Sequence, residues 1–300
     1  MADGNLSALT IANGNLVLHE LGPVDATGEL GWLRFALARL GRGGNSAPQR
    51  TALLGNAHSA AAVLDAALVA PLLPALGDAP LVLVPTGSLH AIPWAALPSL
   101  RGRPLVVAPS LSVWLRLDER QRSRRRKAVL IAGPRLRHAA TEVRNVASIY
   151  RNPTVLQGKA ATAKAALAAL DGAALAHIAC HGHFRADSPL FSSLELADGL
   201  LNVYELQNLR HAPDVVVLSA CDLATSDLHP GDELLGVAAA LLAMGTRTIV
   251  ASVVPVPDAA VKRLMLAFHR NLLAGHAPAA ALARAQSRAS VAGFVCLGSG

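Results

Sequence analysis

A chain of 300 residues with 52% hydrophobic, 16% charged and only 3% aromatic side chains can bury a large aliphatic core, which excludes disorder for the whole chain. The net charge of +7 invites a nucleic-acid reading, but lysines number only four, so arginine supplies nearly all the positive charge of an Ala-rich chain. The one dense basic run, "RQRSRRRK" at 120–127, has no aromatic residue interleaved for base stacking, so it reads as a solvated linker and no nucleic-acid partner is expected.

The chain opens with "ALTIANGNLVLHELG", two short apolar runs around Asn-Gly, which predicts a β-hairpin. A helix is expected over "ATGELGWLRFALARL", with Leu30, Leu33, Ala36 and Leu40 near helical spacing. "GRGGNSAPQR" reads as an exposed loop, followed by an Ala/Leu helix from about Thr51. "APLVLVPTG" is then a buried strand ending in a turn.

Beyond the basic run the pattern alternates. "KAVLIAG" (strand), "ATEVRNVASIY" (helix), "TVLQG" (strand) and "ATAKAALAAL" (helix) lead to two apolar strands, "AALAHIAC" and "DVVVLSAC". Between those two, "SSLELADGLLNVYELQNL" predicts an Asp-Gly hairpin and a short helix. "GDELLGVAAALLAMG" (helix), "TRTIVASVV" (strand) and "DAAVKRLMLAFHRNLL" (helix) follow, with Asp232 and Asp258 at N-cap positions and Gly245 at a C-cap. Apolar strands without polar alternation are buried on both faces, as in a parallel sheet covered by helices. The expected fold class is therefore α/β.

Three cysteines, Cys180, Cys221 and Cys296, show neither CxxC spacing nor a paired framework, which fits a reducing compartment. The N-terminal residues lack the pattern of a signal peptide, and apolar runs such as "LLGVAAALLAM" fall short of a membrane span. A cytoplasmic protein with no membrane partner is expected.

The densest chemistry lies in "HIACHGHF", where three histidines and a cysteine fall within residues 177–184. A metal site is one reading. Strand alternation sends His177 and Cys180 to opposite faces, and only His181 and His183 could share one, if the strand ran past Gly182. No partner cluster with ligand spacing occurs elsewhere, so neither metal nor cofactor is expected. Ser88 and His90 in "TGSLHAIPW" lack a GxSxG elbow and read as turn residues.

His181 and Cys221, 40 positions apart, each follow the last apolar residue of a buried strand. In an open α/β sheet, functional groups collect at the carboxyl ends of the strands. If the two strands are neighbours, both side chains enter one crevice. Thiol and imidazole are the minimum for acyl transfer through a thiolate nucleophile. The backbone N–H groups of Gly182 and Cys221 are the candidate oxyanion donors. Taken alone, Cys221 reads first as a small buried hydrophobe, the usual role of a cysteine ending a Val-rich strand, and the pairing at two matching strand ends is what favours the catalytic reading.

The ordered set "LAHIACHGHFRADSPLFSSLELADG", "VVVLSACDLATS", "GDELLGVAAALLAMGTRTIVAS" and "PAAALARAQ" resembles the CHAT domain family of caspase- and separase-like cysteine peptidases. "LVLVPTGSLHAIPWAALP" and the opening hairpin are similar to further segments of that family. The resemblance implies a caspase-haemoglobinase-like sandwich in one continuous unit. Residues 1–50 would form the N-terminal hairpin and helix, 51–125 an N-terminal α/β part, and 126–300 the catalytic part. It also implies a dyad of His181 and Cys221, and a cysteine endopeptidase regulated by a partner protein or fused module. In separase-like relatives an acidic residue after the strand following the catalytic cysteine helps bind a basic P1 side chain. Asp258 matches it, with Asp222 second, although Val254 stands where many members carry Trp. A catalytically silent caspase-like module, acting as an interaction scaffold, is the alternative.

Overall fold

In the computed structural model, residues 5–23, 26–119, 127–183, 185, 188–219, 238–254, 256, 258–289 and 293–300 are described. The hairpin forms as expected from β1 (Asn5–Ala12) and β2 (Asn15–Pro23). Asn13 (φ 52°) and Gly14 (φ 78°) both take the left-handed conformation that a two-residue hairpin turn requires. Its cross-strand pairs Leu9–Leu18 and Ile11–Leu16 form an exposed apolar face.

Helix α1 (Ala26–Arg42) packs on α2 (Ala47–Leu68). The second helix starts before Thr51, where the sequence reading put it. Ser46 and Gln49 form a reciprocal capping box, which carries the helix back into the apparent loop. With α3 (Leu73–Leu76), the helical stretch Ala47–Leu76 is long and apolar enough to cross a membrane by length and composition. The sequence reading found no such run, because it weighed unbroken apolar residues and not a mostly uncharged Ala-rich helix. In the fold, Ala57, Ala61, Leu64 and Leu68 of that stretch are buried in the core.

Strands β3 (Leu81–Leu83), β4 (Leu105–Val107), β5 (Ala128–Ala132), β6 (Thr154–Leu156) and β7 (Leu175–Ala179) come next in the chain. Helices α4 (Leu111–Glu119), α5 (Ala139–Ala147) and α6 (Ala163–Leu170) are interspersed among them. A small sheet is formed by β8 (Gly182–His183), β9 (Ser193–Leu196) and β10 (Gly199–Asn202). Strand β11 (Val215–Leu218) precedes α7, helical over residues 238–243 among those described. The chain ends with β12 (Thr248–Ser252), α8 (Asp258–Leu273), α9 (Pro278–Ala289) and β13 (Phe294–Gly298).

Among the described residues, eight strands form the central sheet in the order β3-β4-β13-β12-β11-β7-β5-β6. The strands from β12 to β6 are mutually parallel, and β13 runs antiparallel to β12 and parallel to β4. The parallel block agrees with the unbroken apolar runs in the sequence. The sequence reading did not identify β4 or β13; at three and five residues, their apolar runs are too short for periodicity to distinguish strand from helix.

Alternate strand residues feed two cores. Ile131, Ile178, Leu218 and Ala251 face α1, α2 and α6, while Leu130, Ala179, Val217 and Val250 face α5, α8 and α9. The second layer also holds ionisable groups. His177 and His269 have no solvent exposure and Glu142 has 5%. His177 Nδ1 lies 3.0 Å from His269 Nε2, and His269 Nδ1 lies 2.8 Å from the Tyr150 hydroxyl.

Burial, with the adjoining His177 imidazole adding to it, holds His269 well below the ordinary imidazole pKa. The unfolded chain therefore binds a proton at His269 that the folded chain refuses. This contribution to stability is complete above about pH 6.5 and is lost as the pH falls below it. Between about pH 6.5 and 5.5 the His269 contribution to unfolding free energy should drop by about 1 kcal/mol. Urea denaturation at the two pH values measures this, and His269→Gln should flatten the decline; an equal decline in that variant contradicts the assignment.

Candidate functional site

Strands β7 and β11 are parallel neighbours, with Ile178 opposite Leu218. The Ser219 N–H extends their pairing by donating to the Ile178 carbonyl at 3.1 Å. Position 181 follows Ile178 by three residues, and position 221 follows Leu218 by three. The two candidate positions are thus equally far beyond one register pair on adjacent strands. Cys221 and Asp222 themselves lie outside the described residues, as does Asp232.

His181 is half-buried, and its carbonyl accepts the Glu195 N–H at 2.8 Å. Gly182 pairs with Leu194 and His183 with Ser193, so the chain turns directly from β7 into the small sheet. The other residues of "HIACHGHF" part company. His183 is exposed, His177 is fully buried toward α5 and α8, and Cys180 packs with Ile178 in the opposite core. Burial pushes the Cys180 thiol up to about 12, outweighing a backbone hydrogen bond from Glu195. A thiol so protonated is a packing residue and not a nucleophile. Cys296 in β13 is alike, its thiol pushed up to about 12 by burial.

The loop after β5 closes on this corner. Gly133 donates its N–H to the Ala179 carbonyl at 2.8 Å. A Cβ there would lie 2.4 Å from Cys180 Cβ and 2.7 Å from the Glu195 carbonyl oxygen, so only glycine fits. Two residues on, Arg135 takes a left-handed φ of 60°, uncommon outside glycine, and its guanidinium pairs with the Glu195 carboxylate. Pro134, Arg135, His183, Glu195 and Leu200 line an open cleft of about 400 Å³. The sequence reading missed Arg135 and Glu195. Glu195 sits within an apolar strand pattern, a position where a charged side chain signals a partner.

Asp258 is the first residue of α8, one position inside the N-cap expected for it. Ser88 and His90 lie in a single 3₁₀ turn, Gly87–Ala91. Of the basic run, only Lys127 is described, and its ammonium donates to the Ala169 carbonyl at 2.7 Å. Gly245 (φ 109°) ends α7, its N–H donating to the Leu242 carbonyl at 3.0 Å, as a C-cap glycine does.

The model of the CHAT domain family matches residues 58–291. No curated protein sequence matches the chain. Among solved structures, two crystal structures of the Saccharomyces cerevisiae separase–securin complex are similar, at 15% and 16% identity with TM-scores of 0.50 and 0.49. Each match covers 73% of this chain but only 15% of the separase chain. The Arg-specific cysteine proteinase gingipain R is similar at 11% identity and a TM-score of 0.44, covering 66% of this chain and 55% of that one.

Proposed function

Because the chain belongs to the CHAT domain family and has a caspase-like α/β fold, we propose that it is a cysteine endopeptidase with Cys221 as nucleophile and His181 as general base and acid. The observation that carries this reading is the pairing of β7 with β11, which starts both residues from one register pair at the carboxyl edge of the sheet. The thiolate attacks the scissile carbonyl and the N–H groups of Gly182 and Cys221 stabilise the oxyanion. His181 then protonates the leaving amine, and water attacks the resulting thioester with His181 as base. Replacing His181 with Ala should lower peptide turnover by about 10³-fold or more at full folding. Turnover within about tenfold of wild type would remove His181 from the reaction.

A basic P1 side chain is the substrate class we assign, with Asp258 as its acidic partner and Asp222 as the second candidate. Support comes from the family resemblance of the segment and from the position of Asp258 at the first turn of α8, just beyond β12. A positional-scanning peptide library on wild type and Asp258→Ala tests it. Cleavage after Arg and Lys should fall by about 10²-fold in the variant, the loss expected when a buried cation loses its partner. An unchanged P1 profile would exclude Asp258. Control by a protein partner or fused module completes the reading, supported by the crystallisation of separase in complex with securin.

A further inference from the structure

The layer of the sheet facing α5 and α8 is filled by default with apolar side chains, among them Leu175, Ala179, Val217 and Val250. His177 interrupts it, and around His177 gather Glu142 from α5, Tyr150 just beyond α5, Ser219 beyond β11 and His269 from α8. Such a buried polar cluster adds little net stability over packed apolar residues. Its better-attested use is to specify one arrangement of the elements it joins.

Glu142 sets the proton order. Its Oε1 lies 3.0 Å from His177 Nε2, yet accepts no aligned hydrogen bond among the described residues. A nitrogen lone pair only 3.0 Å from that oxygen would be repelled even off its axis, whereas an N–H is attracted, so Nε2 carries the proton. The N–H then points to Ser219 Oγ, 3.4 Å away, with the carboxylate beside the axis. With the rings neutral, His177 Nδ1 accepts from His269 Nε2–H at 3.0 Å, and His269 Nδ1 accepts from the Tyr150 hydroxyl at 2.8 Å. Burial agrees with this order, since it holds His269 neutral and raises the Tyr150 phenol so that it keeps its proton. Every link carries one proton, all directed toward Ser219 and Glu142.

We infer that His177 is a positioning residue for the peptidase dyad: at the centre of the line Tyr150–His269–His177–Ser219, it ties the residue that follows β11 to the middle of β7 and both to α5 and α8. This rests on the peptidase reading above. Ser219 precedes Cys221 by two residues and His177 precedes His181 by four. A single side-chain contact therefore joins the roots of both proposed catalytic positions. Loss of it leaves Ser219 tethered to β7 only through its backbone N–H on the Ile178 carbonyl.

The test reads Cys221 directly and needs no substrate. A thiolate held beside an imidazole alkylates at mildly acid pH, where an ordinary thiol is protonated. The rate of Cys221 alkylation by iodoacetamide is followed by mass spectrometry across the acid limb in wild type, His177→Leu, His177→Gln and Ser219→Ala. Melting temperature is measured beside it. His177→Leu and Ser219→Ala should each lose about tenfold in rate near pH 6, with no further loss in the double variant. His177→Gln, which retains a donor toward Ser219, should recover most of the rate. Should His177→Leu fold poorly, Ser219→Ala alone decides, since it removes only a hydroxyl. Wild-type rates in both variants overturn the inference and leave the dyad standing, as do losses that merely follow the folded fraction. A wild-type protein with no acid limb overturns the dyad and the inference together.

Discussion

Replacing Cys221 with Ala is expected to abolish peptide cleavage, with turnover falling by at least about 10⁴-fold, and to abolish labelling of the native protein by thiol-reactive peptide probes. The size follows from the role: without the sulfur there is no acyl-enzyme, and what survives is binding and oxyanion stabilisation of a direct attack by water. Labelling is a clean readout because the other two cysteines cannot compete. Cys180 and Cys296 are each 2% exposed, and burial pushes both thiols up to about 12, so neither forms appreciable thiolate near neutral pH. Mass spectrometry should find the adduct on Cys221 alone. An adduct on Cys180, or unchanged turnover in the variant, would sink the assignment. A wild-type protein that neither cleaves nor labels would instead favour the silent, scaffold-like module.

The second large effect is expected from Gly133→Val. The backbone N–H of Gly133 extends the pairing of β5 with β7 by donating to the Ala179 carbonyl at 2.8 Å. The added Cβ would meet Cys180 Cβ at 2.4 Å and Cys180 Cα at 3.0 Å, two of the atoms that precede His181, besides the Glu195 carbonyl oxygen at 2.7 Å. None of these is the free end of a flexible side chain, so the strand ends must separate. Overpacking of this kind costs about 3 kcal/mol, a fall in Tm on the order of 6 °C. Because the displaced residues lead into His181 and the cleft lined by Arg135 and Glu195, turnover should fall further than the folded fraction. Thermal denaturation and peptide turnover at a temperature where the variant is folded separate the two effects. A Tm unchanged within about 1 °C would show that the loop moves aside freely.

Several parts of the site were legible before any tertiary contact was known. Asn13-Gly14 set the opening hairpin, and the Asp-Gly turn set β9 against β10. The unbroken apolar run of "AALAHIAC" required burial on both faces, and strand alternation separated His177 from Cys180 without reference to any partner. The helix start at Ala47 was less legible, because the capping box lies in a stretch that composition marks as loop. Strand β13 was not legible at all. Its five residues look the same whether they lie apart from the sheet or, as here, insert between β4 and β12, parallel to the first and antiparallel to the second.

Local pattern thus determined most of the strands of the parallel block, which faces their residues take, and that position 181 follows directly on the end of one of them. Tertiary structure alone decided which strands are neighbours, because parallel pairing is closed by crossovers whose partner no local periodicity specifies. It alone joined Tyr150 to His269 across 119 positions and placed His177 between His269 and Ser219, where strand alternation gave only the face it takes. It alone paired Arg135 with Glu195, whose backbone N–H donates to the carbonyl of the half-buried His181. The difference has one cause: face and element follow from neighbours in the chain, whereas a buried polar side chain finds its partners only after distant strands and helices have closed around it.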